Sequence, residues 1–163
     1  ERMRKYGIDV DTRVGRNNGI PFPNATFDHL LACHSCYYID KDTSFNDNLK
    51  EIARVLKPSG IFVFSVPIDT SYIFKTAKDL GRGHMQIAAD PYGVRNGYVL
   101  KAFSNKEEII ESIAPYFDQA KVGACRNNFW GIDEHVWTVV CTRTTDLSQI
   151  IGAERASQAY LQP

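Results

Sequence analysis

At 163 residues and 44% hydrophobic content, the chain is the size of one domain and has enough apolar material for a sizeable core. Nineteen basic residues balance nineteen acidic ones, so nothing pulls the chain over long range toward a phosphate backbone or an anionic lipid surface. No apolar run reaches the roughly 18 residues of a membrane span, and the opening ERMRKYGID lacks the apolar centre of a secretory signal. These features predict a cytoplasmic protein with reduced cysteines and with neither nucleic acid nor membrane as partner.

Good helix formers followed by Gly7 predict the end of a helix over residues 1–7. Residues 8–15, IDVDTRVG, alternate apolar and polar side chains as a short strand would. Residues 16–26 are rich in Asn, Gly and Pro and read as a loop, and residues 27–33, FDHLLAC, read as a buried strand. Ser44 and Asp47 then predict a capping box, with Phe45, Leu49, Ile52, Ala53 and Leu56 at helical spacing on one face. Lys57-Pro58-Ser59-Gly60 stops that helix, and the apolar run IFVFSVPI over 61–68 reads as a strand covered on both faces. Strand, helix, turn and strand in this order predict a parallel unit with a right-handed crossover.

Residues 69–103 carry no clear period but contain Gly81, Gly83, Gly93 and Gly97, which predicts a lid or binding loop. Ser104 and Glu107 predict the cap of a second helix with Ile109, Ile110, Ile113 and Phe117 on its apolar face. Residues 120–125 and 136–142 read as the last strands, and the chain from Thr144 onward as a loose helix. The expected organisation is a domain over 1–143 with 69–103 as a substrate lid, followed by a tail over 144–163.

The cluster CHSC at residues 33–36 raises three readings. A zinc site needs about four ligands and this cluster lacks half of them, so no metal is expected. A cysteine–histidine catalytic pair is disfavoured because adjacent strand residues point to opposite faces. The third reading places the cluster at a strand end, lining a pocket.

The stretches GRNNGIPFPNATFDHLLACHSCYYI and LKEIARVLKPSGIFVFSVP resemble the second half of a class I S-adenosylmethionine-dependent methyltransferase domain. The resemblance rests on Gly15-Arg16-Asn17, Ile20-Pro21-Phe22, Phe27-Asp28 and Leu56-Lys57-Pro58-Ser59-Gly60, collinear over residues 8 to 68, and on the closing ACRNNFWGIDEHVWTVVCTR. It implies an α/β, Rossmann-like sheet, mostly parallel with an antiparallel last strand. It also implies that the first two strands, with the glycine-rich cofactor loop, are missing. A longer chain, a homo-oligomer or a swapped assembly would then have to complete the sheet.

The resemblance further implies S-adenosylmethionine as cofactor and a small-molecule methyl acceptor as substrate. The cofactor would lie against Arg16, Asn17, Asn18, Cys33, His34 and Ser35, on the loops leaving two strands at their carboxyl ends. Family members often carry an acidic residue where this sequence has Arg16, which can only donate; Asn17 or Asn18 offers an acceptor instead. His34 or His84 is the candidate general base. Tyr92, Arg95, Asn96 and Tyr98 in the lid are the candidate acceptor contacts, against a plainer reading of Asp90-Pro91-Tyr92-Gly93 as a turn and of Arg95 as an ion-pair partner. Three functions remain in play: the methyltransferase, a non-catalytic interaction or scaffold module of the same fold, and, less favoured, a nucleotide-dependent oxidoreductase.

Overall fold

The computed structural model describes residues 4–145. A single 3-10 turn, Arg4–Tyr6, ends at Gly7, whose φ of +71° is the left-handed conformation that glycine adopts at no steric cost. The predicted tail lies, beyond residue 145, outside the described residues. The strand expected over residues 8–15 does not form: these residues make no ladder, all are exposed, and Val14 is fully so. Alternation encodes two faces, but a strand also needs a neighbouring backbone, and among the described residues none pairs with this segment.

The ordered elements are β1 (Phe27–Ala32), β2 (Tyr38–Ile39), α1 (Phe45–Val55), β3 (Leu56–Pro67), β4 (Lys78–Asp79) and β5 (His84–Gln86). They are followed by β6 (Val99–Lys101), α2 (Lys106–Ile113), β7 (Phe117–Asn127) and β8 (Glu134–Arg143). The main sheet has the order β1-β3-β8-β7. Only β1 and β3 run parallel; β3 with β8 and β7 with β8 are antiparallel, so the sheet is mixed where a mostly parallel one was expected. The parallel pair with α1 between its strands is the predicted crossover unit. Among the described residues no helix is long and apolar enough to cross a membrane.

Local chemistry explains α1. The Ser44 hydroxyl accepts the Asp47 N–H at 3.3 Å while the Asp47 carboxylate accepts the Ser44 N–H at 2.8 Å, so two end amides are satisfied reciprocally. Its stripe of Phe45, Leu49, Ile52 and Ala53 is buried, and Leu56 follows as the first residue of β3. In α2 the cap is Asn105, which accepts the Glu108 N–H at 2.9 Å, one residue beyond the predicted Ser104–Glu107 pair. Ile109 and Ile113 are buried, but Ile110 is 41% exposed. β1 was expected to be buried, yet it is an edge strand whose Leu31 is 73% exposed.

The largest departure concerns residues 69–103. This stretch is more regular than expected: β4, β5 and β6 join β2 in a second, antiparallel sheet of order β2-β6-β5-β4. Strands of two or three residues are too short to show a period in sequence.

A charged clamp fixes the loop ahead of β1. The Arg54 guanidinium donates to the Phe22 and Ile20 carbonyls at 2.9 and 2.8 Å and to Asn24 Oδ1 at 2.8 Å. Glu51 pairs with Arg54 at 2.7 Å and accepts the Ile20 N–H at 2.7 Å. The hydrogen bond from Arg54 holds the Glu51 carboxyl below its ordinary value; burial opposes this and the Ile20 amide adds to it. A carboxyl depressed in the folded state contributes stability above its unfolded value, and that contribution is lost as pH falls through the folded value. Glu51→Gln is therefore expected to cost about 2 kcal/mol at neutral pH and to flatten the acid limb below about pH 4.5. Melting curves recorded across that range check this; parallel acid limbs for the two proteins would contradict it.

Candidate functional site

Because β1 and β3 are parallel, their carboxyl ends open on the same side, where open α/β sheets bind ligands. β8 is antiparallel to β3, with Pro67 opposite Val136, so the start of β8 arrives at that side too. Three segments therefore converge: residues 33–35, the chain leaving β3, and the β7–β8 hairpin.

His34 holds a left-handed backbone with φ +50°, an uncommon state for a non-glycine residue and one that sites tend to retain. Its N–H donates to the Ser65 hydroxyl at 2.9 Å, which fixes the turn. Its imidazole Nδ1 lies 3.8 Å from Glu134 Oε1. Glu134 opens β8 and accepts the Asn127 side-chain N–H at 2.8 Å across the hairpin. Cys33 beside it is exposed, whereas Cys36 is buried and its thiol is pushed well up by that burial.

The second sheet contributes a polar knot. Asp90 is fully buried and its carboxylate accepts the backbone N–H groups of Tyr92, Val94 and Arg95 at 3.3, 3.1 and 3.0 Å. Asp90 also sits 3.5 Å from the Arg95 guanidinium, and Asn96 Oδ1 accepts the Asp90 N–H at 2.7 Å. Arg95 donates from Nε to the Tyr38 hydroxyl and from Nη1 to the Tyr72 hydroxyl, both at 3.1 Å. Burial raises the Tyr72 phenol above its ordinary value, against the pull of the Arg95 charge, so it is protonated at neutral pH.

Two cavities share Tyr72, Arg95 and Glu134 as lining residues. The inner one, about 20 Å³, is lined also by His34, Tyr37 and Ser71. The outer one, about 330 Å³, is lined also by Tyr92, Asn127, Phe129 and Ile132.

Of the sequence-predicted residues, His34 and Arg95 line the inner cavity, and Arg95 and Tyr92 line the outer one. Asn96 is engaged with the Asp90 backbone. His84 and Tyr98 line a different cleft of about 460 Å³ with Asp40 and Thr43. His84 is held below its ordinary value by burial, then by the Lys101 and Arg82 charges, so it is neutral at pH 7. On the loop ahead of β1, Arg16 and Gly19 exchange backbone hydrogen bonds of 3.2 and 3.0 Å, leaving Asn17 and Asn18 at the tip of a tight turn. Arg16 lies 3.6 Å from Asp40. Asn17 donates Nδ2 to the Ser35 and Tyr38 carbonyls at 2.8 and 3.3 Å, and its Oδ1 accepts no bond from the described residues.

Sequence reasoning missed Tyr38, Tyr72, Asn127, Phe129 and Glu134. A signal for Glu134 was present: an antiparallel last strand must begin where β3 ends, which brings the polar hairpin tip to the site.

Residues 1–64 match the model of the methyltransferase domain family. No curated protein matches the chain in sequence. Among solved structures, the chain is similar to the PH0226 protein of Pyrococcus horikoshii, with 18% identity and a TM-score of 0.60, over 88% of this chain and 64% of that one. It is also similar to an S-adenosylmethionine-dependent methyltransferase of Thermotoga maritima, described as a possible histamine N-methyltransferase, with 16% identity and a TM-score of 0.57, over 86% and 67% of the two chains. A third is the 1,6-didemethyltoxoflavin-N1-methyltransferase of Burkholderia thailandensis, solved with bound 1,6-didemethyltoxoflavin and S-adenosylhomocysteine, with 18% identity and a TM-score of 0.51, over 78% and 48%. The family match covers the first 64 residues, and the fold over most of the chain is similar to that of S-adenosylmethionine-dependent methyltransferases. The chain spans about two thirds of the length of the first two structures and about half of the third.

Proposed function

We propose that this protein transfers the methyl group of S-adenosylmethionine to a small-molecule acceptor. The observation that carries this reading is the convergence of His34, Tyr72, Arg95 and Glu134 on one small cavity at the carboxyl end of the parallel pair, the last three also lining a larger cleft. The open Oδ1 of Asn17, next to the Ser35 backbone, fits the amino edge of an adenine, and the short exposed side chains of Cys33 and Ser35 leave the loop backbone approachable. When bound, the cofactor supplies a methyl group activated by a sulfonium, whose sulfur keeps the bonding electron pair on transfer.

The chain's own residues orient the acceptor and manage its proton. Tyr72, held in place by Arg95, lines both cavities and helps to fix the acceptor's position. His34 takes the proton that the acceptor loses, a role suited to an imidazole near neutral pH, and Glu134 at 3.8 Å stabilises the resulting imidazolium. His84 lines a different cleft from these groups, so the proton is assigned to His34.

One observation favours a second reading, a non-catalytic interaction module: the inner cavity of about 20 Å³ is far below the roughly 300 Å³ of a small-ligand site. Calorimetric titration of S-adenosylhomocysteine into this chain and into an N-terminally extended version separates the two. Binding by either, weakened by Asn17→Ala, is the expected result; binding by neither leaves the interaction module.

A further inference from the structure

Charge bookkeeping in the outer cleft identifies the class of molecule that it accepts, an inference that rests on reading this cleft as the acceptor site. Arg95 brings one positive charge, but the fully buried Asp90 carboxylate lies 3.5 Å away and two phenol oxygens accept from its Nε and Nη1. That cation is therefore largely neutralised from behind. Glu134 brings one negative charge, and among the described residues its carboxylate bonds the neutral Asn127 amide and lies 3.8 Å from an imidazole. Along the hairpin, Arg126 and Asp133 cancel each other in a two-bond pair at 2.8 and 2.9 Å. Among the described residues, the charge in the cleft without a close counter-charge is thus the Glu134 carboxylate.

The remaining walls are aromatic. Tyr92 is 57% and Phe129 73% exposed, large rings held out in water at the rim of the same cleft. Ring faces attract cations, and a carboxylate accepts charge-assisted hydrogen bonds from an ammonium. We infer that the cleft recognises an amine carried on an aromatic or apolar frame, with Glu134 as the specificity-determining residue. A carboxylate-bearing molecule of the same shape meets repulsion from Glu134 and finds Arg95 already paired.

Phenethylamine and phenylacetate, which differ chiefly in the sign of their charge, are suitable probes, titrated into the full chain and followed by calorimetry or amide chemical shifts. Phenethylamine is expected to bind at least about tenfold more tightly than phenylacetate, and Glu134→Gln to weaken it about tenfold, one charge-assisted contact. The shifts should centre on Tyr92, Phe129 and Glu134, and an unchanged melting temperature in the variant separates lost recognition from lost fold. Equal or tighter binding of phenylacetate, no binding of either probe, or indifference to Glu134→Gln overturns the inference. The cofactor titration is independent: amine preference without cofactor binding sinks methyl transfer and leaves the amine site standing, and the reverse result does the opposite.

Discussion

Asp90→Ala is expected to lower stability by about 3 kcal/mol and the melting temperature by about 6–12 °C, large effects for one side chain in a loop. Its carboxylate is fully buried, and its loss strips acceptors from three backbone N–H groups and the near counter-charge from Arg95. Arg95 keeps its two phenol partners and is 29% exposed, which holds the cost near the lower end of the range for breaking a buried ion pair. Asp90→Asn keeps one acceptor oxygen and should lose roughly half as much. Hydrogen exchange reads the local event: the amides of Val94 and Arg95 should exchange much faster in the alanine variant. Unchanged exchange at those two positions would show that the knot does not hold the loop.

Phe62→Ala is expected to cost about 3–5 kcal/mol, because it empties the centre of the main sheet. Phe62 is 0% exposed, stacks on Phe64 at 4.5 Å and meets Phe117 at 5.3 Å. In register it stands between Leu30 of β1 and Cys141 of β8, so a void there loosens both the parallel and the antiparallel ladder. If the alanine variant does not fold, Phe62→Leu, which keeps most of the volume, should still fold at a cost of about 1–2 kcal/mol. A leucine variant as stable as the parent under chemical denaturation would place the core elsewhere.

Where one level of chemistry sufficed, the sequence could be read directly. The α1 capping box involves side chains three residues apart, and the apolar period that follows shows which face is buried. The run over 61–68 is legible in part: the strand forms but starts at Leu56, and only Phe64 to Pro67 are buried in succession, while Ile61 is exposed. The failures share a cause, the need for a partner distant in the chain. Residues 8–15 have the right alternation but no adjoining ladder among the described residues, and Leu31 looks like a core residue until β1 proves to be an edge of the described sheet. The second sheet depends on Tyr38 and Ile39 pairing with Val99 and Leu100, which no local window reveals. The plain reading of residues 90–93 as a turn was sound, for Gly93 donates to the Asp90 carbonyl at 2.8 Å. Arg95 as an ion-pair partner was also sound, although its partner is buried. Glu134 and His34 meet only because β8 runs back along β3.

Arg95 also has a mechanical meaning. It bonds one phenol carried by β2 in the second sheet and another on the chain leaving β3, so it acts as a pin through the seam between the two sheets. Linkage is reciprocal: a molecule that tightens the pin is held more firmly by the same factor by which it suppresses separation of the sheets. Rigidity of the seam and occupancy of the cleft are then a single free energy measured from two ends. A melting curve recorded with a bound amine reports on both.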